Sequence, residues 1–371
     1  MTLMTQRWTT FFAVAVLVAA TIVVGTAQLE PVEEIRARAA QGDAATQYSL
    51  GLMYVTGGGV PQDYAEAVRW FRLAADQGFA GAQYSLGVMH DTGLGVPQDD
   101  DAEAAHWYRL AAEQGHAVAQ GNLGAMSLEG QGVPQDHAEA VRWFRLAAEQ
   151  GDSYAQANLG SMYDNGEGVP EDHVEAVRWY RLAADQGNAD AQTNLGSMYR
   201  NAEGVPEDHA EAVRLYRLAA EQGHAVAQDN LGFMYDNGEG VPEDHAEAVR
   251  WYRLAADQGN AEAQNNLGVM YRNAEGVPED HAEAVRLYRL AAEQGNVDAQ
   301  NNLGYMYGTG KGVPQDDTQA YIWFSLSASR SSGEARDRAV DNRDSVANRL
   351  TPAQITEAQR LAREWDEAHP R

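Results

Sequence analysis

Residues 188–222 read NADAQTNLGSMYRNAEGVPEDHAEAVRLYRLAAEQ, and a version of this stretch occurs eight times along the chain. A leucine-glycine pair marks the middle of each copy, and successive copies lie 36 residues apart, except for one step of 37. The eight repeat glycines are Gly51, Gly87, Gly124, Gly160, Gly196, Gly232, Gly268 and Gly304. A fixed period of this length is typical of a solenoid, in which each unit buries its apolar face only against its neighbours.

Each copy predicts two helices. In the quoted copy, apolar residues recur at helical spacing around Leu195, and residues 201–206 then break the helix with a glycine and a proline. Asp208 followed by Glu211 predicts a capping box for the second helix, which ends at Gly223. A glycine inside a helix costs about 1 kcal/mol relative to alanine, so its presence in all eight copies predicts tight packing against the partner helix.

These residues resemble a known family. The pattern AQxNLGxMYxxGxGVPxDxxEAxRWYRxAAxxG is similar to the Sel1-like repeat, a relative of the tetratricopeptide repeat, over residues 40–330. The resemblance implies an all-α fold, a right-handed α/α solenoid of eight helix-turn-helix repeats with helical caps. It also implies a scaffold for protein-protein interaction, and it does not identify the partner.

The first 27 residues differ in kind from the repeats. Arg7 precedes an apolar run over residues 11–24, and Gly25-Thr26-Ala27 supplies small residues for cleavage. We therefore expect a signal peptide that is removed after Ala27, and a periplasmic or secreted protein. The alternative is an uncleaved N-terminal membrane anchor, which the short apolar run disfavours.

The rest of the chain divides into a cap, the repeats and a second cap. Residues 28–42 look like a degraded second helix and predict an N-terminal capping helix, and residues 43–330 hold the eight repeats. Residues 331–371 predict two capping helices, the last of which begins with Thr351 as N-cap and ends near Trp365. The apolar face predicted to dock this last helix on the eighth repeat comprises Ile355, Ala358, Leu361 and Ala362.

Charge and cysteine content argue against several functions. The chain has 27 basic and 54 acidic side chains and no cysteine, and loss of Arg7 with the leader gives a formal charge of −28. Such a charge repels nucleic acid and anionic lipid, so neither is an expected partner. Without cysteine there are no disulfides, which sets the chain apart from the cysteine-rich secreted members of the family that are associated with penicillin binding and weak β-lactamase activity.

No catalytic motif is present. Residues 308–312, GTGKG, lack the spacing and the Ser/Thr of a phosphate loop, and the chain has no G-x-S-x-G, H-E-x-x-H or S-x-x-K. One histidine follows the capping aspartate in five copies, but side chains on successive repeats lie about 10 Å apart, too far to share a zinc ion. These are His137, His173, His209, His245 and His281. We expect no enzyme, cofactor, metal or small-molecule substrate.

Comparison of the copies separates packing positions from variable ones. Counted from the repeat glycine, positions −6, −3, +1 and +4 form one stripe on the first helix, and all four vary. In the tetratricopeptide relatives this stripe lines the concave groove, so we predict that it binds a protein or peptide. The contact stripe comprises Tyr48, Leu52, Tyr84, Val88, Tyr154, Asp190, Thr193, Arg200, Asp229, Phe233, Asp236, Asn265, Arg272, Asn301 and Tyr305.

Two structural alternatives remain for these positions. The stripe varies either because it contacts a partner or because it faces only solvent, and the Asp/Arg alternation at +4 is equally consistent with ion pairs between repeats. An asparagine stack at position −2 is expected to cap or bridge neighbouring loops, and it comprises Asn122, Asn158, Asn194, Asn230, Asn266 and Asn302.

The sequence as a whole predicts a binding scaffold in the cell envelope that holds a protein or peptide in its concave groove. A cell-wall-related or β-lactam-binding hydrolase is the alternative by family analogy, and a purely structural envelope protein is another. Membrane contact is expected only through the leader, if it stays uncleaved.

Overall fold

A computed structural model describes residues 31–96 and 100–369, and over these residues the chain forms nineteen helices and no strand. The predicted leader, residues 1–27, lies outside the described residues. The helices of the first half are α1 (Val32–Ala40), α2 (Ala44–Thr56), α3 (Tyr64–Ala75), α4 (Ala80–Thr92), α5 (Asp101–Glu113), α6 (Ala117–Glu129), α7 (His137–Glu149), α8 (Ser153–Asn165) and α9 (His173–Asp185). Those of the second half are α10 (Ala189–Asn201), α11 (His209–Glu221), α12 (Ala225–Asn237), α13 (His245–Asp257), α14 (Ala261–Asn273), α15 (His281–Glu293), α16 (Val297–Thr309), α17 (Asp317–Arg330), α18 (Gly333–Ala347) and α19 (Pro352–Ala368).

The chain forms two compact units that divide after Asn188. The first unit contains α1 to α9 and the second contains α10 to α19. Within each unit, the two helices of a repeat pack on each other, and the second helix also packs on the first helix of the following repeat. Each repeat therefore buries its apolar face against its sequence neighbours.

The repeat glycine is the point of closest approach between the two helices of a repeat. A methyl group built on Gly124 in α6 lies 2.8 Å from Cδ1 of Phe144 in α7, closer than real contacts allow. The aromatic ring after the tryptophan or leucine of the second helix stands in this place in every repeat, and the rings belong to Phe71, Tyr108, Phe144, Tyr180, Tyr216, Tyr252, Tyr288 and Phe324. The predicted tight packing is confirmed.

The predicted capping box is only half formed. The Asp208 carboxylate accepts a hydrogen bond from the Glu211 backbone N–H at 3.0 Å, as expected of an N-cap. The Asp208 N–H, however, already donates to the Tyr199 carbonyl at 2.9 Å. Glu211 instead accepts two hydrogen bonds from Arg214, at 2.7 and 2.6 Å. The predicted hydrogen bond from the Asp208 backbone N–H to the Glu211 side chain is therefore wrong, because that N–H already has the Tyr199 carbonyl as its acceptor.

Within each unit, a glutamine ladder that the sequence did not predict links neighbouring repeats. Gln156 in α8 donates from Nε2 to the Ala148 carbonyl in α7 at 3.1 Å, and its Oε1 accepts from Gln186 at 2.8 Å. The same contact occurs at the start of the chain, where Gln47 donates to the Ala39 carbonyl at 3.0 Å. Helix α1 therefore takes the place of a second helix, as expected of the N-terminal cap.

The C-terminal helices cover the last repeat. Ala358 and Ala362 of α19 are buried in one cluster with the apolar residues of α17, and Trp365 packs edge-on against Trp323 at 6.0 Å between ring centroids. Thr351 and Gln354 form a complete capping box at the start of α19. The predicted docking face is confirmed, and α19 continues to Ala368, three residues beyond its predicted end.

Two alanines occupy a backbone conformation that favours glycine. Ala202 and Ala274 have φ values of 61° and 60° at the residue that ends the first helix, where the other described first helices end on glycine. We expect Ala202→Gly and Ala274→Gly each to raise the free energy of unfolding by about 0.5–1 kcal/mol, because glycine enters this region without a Cβ clash. Urea unfolding followed by circular dichroism measures the change. The reverse substitution Gly238→Ala, at a residue with φ of 68° in the same position, is the matched control and should destabilise. Equal midpoints for all the variants would contradict this account.

Candidate protein-binding surface

The predicted contact stripe is only partly accessible. Six of its members are buried, against the expectation that they face water: Leu52, Tyr84, Val88, Thr193, Asp229 and Asn265. Tyr154, Asp190 and Tyr305 are exposed, and the other six are half-buried: Tyr48, Arg200, Phe233, Asp236, Arg272 and Asn301. The buried six are therefore packing residues, and a partner can contact only the remainder.

Position −3 is buried in four repeats, at Tyr84, Thr193, Asp229 and Asn265, and neighbouring first helices meet at these residues. The Tyr84 ring stacks on His116, the N-cap of the next first helix, at 4.7 Å between centroids, and burial raises the pKa of Tyr84 to about 12. In the second unit, Asn302 donates from Nδ2 to Oδ1 of Asn265 at 2.9 Å, and the same contact joins Asn266 to Asp229 at 3.2 Å. These asparagines belong to the −2 stack, so the stack bridges neighbouring helices rather than loops at these two contacts.

Among the acidic residues of the contact stripe, Asp229 has the pKa that burial changes most. It is 7% exposed, and burial raises its pKa to about 7, with a further contribution from the nearby Glu262 carboxyl. The hydrogen bond from Asn266 favours the ionised form and opposes these two effects. The group therefore changes charge near neutral pH.

His224 organises the start of the second unit. Its Nδ1 accepts from the Ala227 backbone N–H at 3.2 Å and lies 3.1 Å from the Thr193 hydroxyl, while Nε2 lies 3.0 Å from the Asp190 carboxylate. The hydrogen bond from His224 lowers the pKa of Asp190. Asp190 is thus exposed, but its carboxylate already contacts His224, so it is less available to a partner than Tyr154 or Tyr305.

The residues at +4 are engaged in contacts within the chain. Arg200 pairs with Glu239 of the following repeat at 3.0 Å and lies over the Phe233 ring at 4.2 Å. Asp236 pairs with His245 of its own repeat at 2.9 Å. The alternative of ion pairs between repeats is therefore realised by Arg200, but through Glu239 rather than through the aspartate at +4.

Two tyrosines are the most accessible large side chains of the stripe. Tyr154 is 54% exposed on α8, and Tyr305 is 40% exposed on α16. The amino group of Lys311, the only lysine of the chain, lies 5.9 Å from the Tyr305 ring centroid. Exposed tyrosines are typical of protein interfaces, since the ring supplies apolar area and the hydroxyl a hydrogen bond.

The second helices present a different face. On α7, Arg142 lies over the Trp143 ring at 4.2 Å, and Glu139 accepts hydrogen bonds from both, from Trp143 Nε1 at 2.7 Å. One exposed leucine follows in most second helices, and this row comprises Leu73, Leu146, Leu182, Leu218, Leu254 and Leu290. The equivalent Leu326 of α17 is buried in the cluster that includes α19.

The part of the chain that the structure describes contains neither a metal-binding cluster nor a membrane-spanning helix. Within residues 31–96 and 100–369, no three histidine or acidic side chains are arranged to hold a metal ion. Of the repeat histidines, His173 pairs with Asp164 and His245 with Asp236, each at 2.9 Å. In that part of the chain no helix is long and apolar enough to cross a membrane.

Comparisons with known proteins agree with this architecture. The Sel1 repeat family model matches residues 44–79, 80–116, 117–152, 153–188, 189–224, 225–260, 261–296 and 297–332. A Sel1 repeat protein from Oxalobacter formigenes is 34% identical over 89% of this chain and 93% of its own, with a TM-score of 0.62. A protective antigen of uropathogenic Escherichia coli with an SLR fold is 33% identical over 91% of this chain and 86% of its own, with a TM-score of 0.49. No curated protein matches the chain. The predicted fold class, an all-α solenoid of eight helix-turn-helix repeats, is confirmed.

Proposed function

Because the chain belongs to the Sel1 repeat family, whose members are generally protein-interaction scaffolds, we propose that it is a scaffold of the cell envelope that binds a protein or peptide. The binding surface is the accessible part of the contact stripe on the first helices. No particular partner follows from the family, so the proposal rests on the chemistry of this surface.

The observation that carries the proposal is the exposure of Tyr154 and Tyr305. Each ring stands on a first helix that packs closely on its partner helix through the repeat glycine, Gly160 or Gly304. Because a tyrosine side chain has only two rotatable χ angles, it loses little entropy when a partner covers it, and such residues commonly dominate the energy of an interface.

Polar groups surround the apolar contact points. Beside the half-buried Phe233, Arg200 and Glu239 form an ion pair that is itself only partly accessible. An apolar centre within a polar rim is the usual anatomy of a protein interface. The high acidic charge of the chain favours partners with basic segments, since complementary charge increases the rate of association.

The envelope location is supported by the composition of the first 27 residues. A basic residue, a 14-residue apolar run and small residues before the proposed cleavage site after Ala27 form the three parts of a secretory signal. A cysteine-free chain also folds in an oxidising compartment without unwanted disulfides.

Site-specific photocrosslinking in cells tests both parts of the proposal. A photoreactive phenylalanine analogue at Tyr154 or Tyr305 is expected to capture one dominant protein, whereas the same analogue at Leu146 or Leu218 on the second helices should not capture it. Mass spectrometry of the protein from the envelope fraction should give an N-terminus at Gln28. An intact Met1 would instead mean a membrane anchor.

The captured protein then serves as a purified ligand. Its dissociation constant, measured by calorimetry, should rise at least about tenfold for the Tyr154→Ala/Tyr305→Ala double variant, as expected when interface anchors are truncated. Crosslinking of equal strength from Leu146 and Leu218, or unchanged affinity of the double variant, would place the binding surface elsewhere.

A further inference from the structure

One position of the second helix differs between repeats in a way that opens a cavity. Six repeats carry tryptophan there, namely Trp70, Trp107, Trp143, Trp179, Trp251 and Trp323, and two carry leucine, namely Leu215 and Leu287. In the sixth repeat, Trp251 belongs to one buried cluster with Ala220 of the preceding second helix and Leu231 of its own first helix, beside Tyr235. The indole therefore fills the space between two second helices.

The same space is open one repeat later. A cavity of about 180 Å³ lies beside Leu287 and is lined by Ala256, Leu267 and Tyr271, the residues equivalent to Ala220, Leu231 and Tyr235. Leu287 itself is buried, so it forms part of the cavity wall and leaves unfilled the volume that an indole occupies elsewhere. The outer wall is completed by Leu290.

The polar groups that receive the indole of Trp143 in the third repeat have equivalents at the cavity, whereas the indole N–H groups of Trp70, Trp179 and Trp251 have no hydrogen-bond partner. In the third repeat, Arg142 lies over the Trp143 ring while its guanidinium pairs with Glu139, and Glu139 accepts the indole N–H. At the cavity, Arg286 and Glu283 hold the equivalent pair, with hydrogen bonds of 2.8 and 2.6 Å. Both side chains line the cavity. An acceptor for an N–H and a cation for an aromatic face therefore flank an apolar wall.

A second cavity continues the first. It measures about 350 Å³, is lined by Leu254, Gly276 and Val277, and shares Arg253 and Asp257 with the first. The two cavities together give room for one aromatic side chain and for the chain that carries it.

We propose that the cavity beside Leu287 is a binding site for a tryptophan side chain presented by a protein partner, received as the third repeat receives Trp143. The indole packs on Ala256, Leu267 and Leu287, its N–H donates to Glu283, and Arg286 lies over its face. The identification of the ligand as part of a protein rests on the proposed scaffold function, whereas the affinity for an indole does not.

Photolabelling with a diazirine derivative of N-acetyl-tryptophanamide tests the site on the full-length protein. Labelled peptides are quantified by mass spectrometry at increasing probe concentration, which gives an affinity for each site separately. We expect labelling of the segments that carry Tyr271 and Leu290, half-saturated at a probe concentration on the order of 1 mM, as is usual for a single side chain. Unmodified N-acetyl-tryptophanamide should compete for it.

Two substitutions and one control separate occupancy from misfolding. Leu287→Trp places in the cavity the residue that six of the other seven repeats carry, and it should reduce this labelling at least about tenfold, while thermal unfolding shows that the variant folds. Arg286→Ala, on the exposed surface, should weaken the labelling about threefold through loss of the cation over the ring. Leu218→Ala, in the same row of exposed leucines but outside the cavity, should leave it unchanged.

Three outcomes would overturn the proposal. These are absence of saturable labelling at the cavity, unchanged labelling in Leu287→Trp, and equally effective competition by N-acetyl-leucinamide or N-acetyl-phenylalaninamide, which would mean that the cavity recognises apolar groups in general. Each of these leaves the crosslinking from Tyr154 and Tyr305 unaffected. Conversely, a failure of that crosslinking would leave the indole affinity in place, so the two proposals fail separately.

Discussion

Substitution of alanine for Gly124 is expected to lower the free energy of unfolding by about 2–3 kcal/mol, although alanine is the better helix former. The new methyl group would lie 2.8 Å from Cδ1 and 2.9 Å from Cε1 of Phe144. Phe144 is buried between neighbouring repeats and has no free space to move into, so the two helices of the repeat must separate. Urea unfolding of the variant and of the wild type, followed by circular dichroism, measures the loss.

Gly121 provides a control in the same helix, three residues earlier. A methyl group built on Gly121 has no neighbour within 4 Å, so Gly121→Ala changes only the helix propensity. This variant should gain about 0.5–1 kcal/mol, and the two substitutions should therefore have opposite signs. If both variants were stabilised, the close approach at the repeat glycine would not be what fixes it in all eight copies.

Asp229→Asn is expected to raise the free energy of unfolding, and this gain should increase with pH. The native pKa of Asp229 is raised to about 7 from the ordinary aspartate value of 3.8, because burial disfavours the carboxylate. Between these two values the native state holds a proton that the unfolded state has released, so raising the pH destabilises the native state. The loss is complete above pH 7, where we expect Asp229→Asn to gain on the order of 2 kcal/mol; the gain should shrink towards pH 4.

The next repeat shows why asparagine fits at this position. Asn265 occupies the equivalent site and accepts a hydrogen bond from Asn302 at 2.9 Å, as Asp229 does from Asn266. Denaturant midpoints measured from pH 4 to pH 8 give the profile. Asp190→Asn is the control, since that carboxyl is exposed and its pKa is lowered by His224, so its removal should give no gain at pH 8. A pH-independent effect of Asp229→Asn would show that the carboxyl is not protonated in the native state.

The sequence predicts which residues share the stripe on the first helices, but not how deeply each of them is buried. Helical spacing places Tyr84, Asp229 and Tyr305 on one stripe, because side chains three or four residues apart share a face of a helix. The depth at which each side chain lies depends on the neighbouring repeat, which covers Tyr84 and Asp229 and leaves Tyr305 exposed. Positions that vary between copies therefore include exposed residues and also buried residues that pack against a different neighbour in each repeat.

The capping box shows a similar limit. The Asp-x-x-Glu spacing predicts both halves of the motif, and local geometry permits both. Which acceptor the Asp208 N–H uses is decided by the loop, which brings the Tyr199 carbonyl within 2.9 Å. Glu211 is thereby left for Arg214.

The sequence by itself determined the repeat period, the two helices of each repeat, the N-cap aspartates, the glycine that ends each second helix and the acidic charge. These features are local or additive, so propensity, capping and composition are sufficient to predict them. Only the tertiary structure decided which variable residues are buried, that Asp229 titrates near neutral pH, and that Leu287 borders a cavity where other repeats hold an indole. Each of these depends on which side chains the adjacent helices place around one residue. The repeat pattern shows that leucine replaces tryptophan at position 287, but it does not show whether the neighbouring helices close the space that the indole would fill.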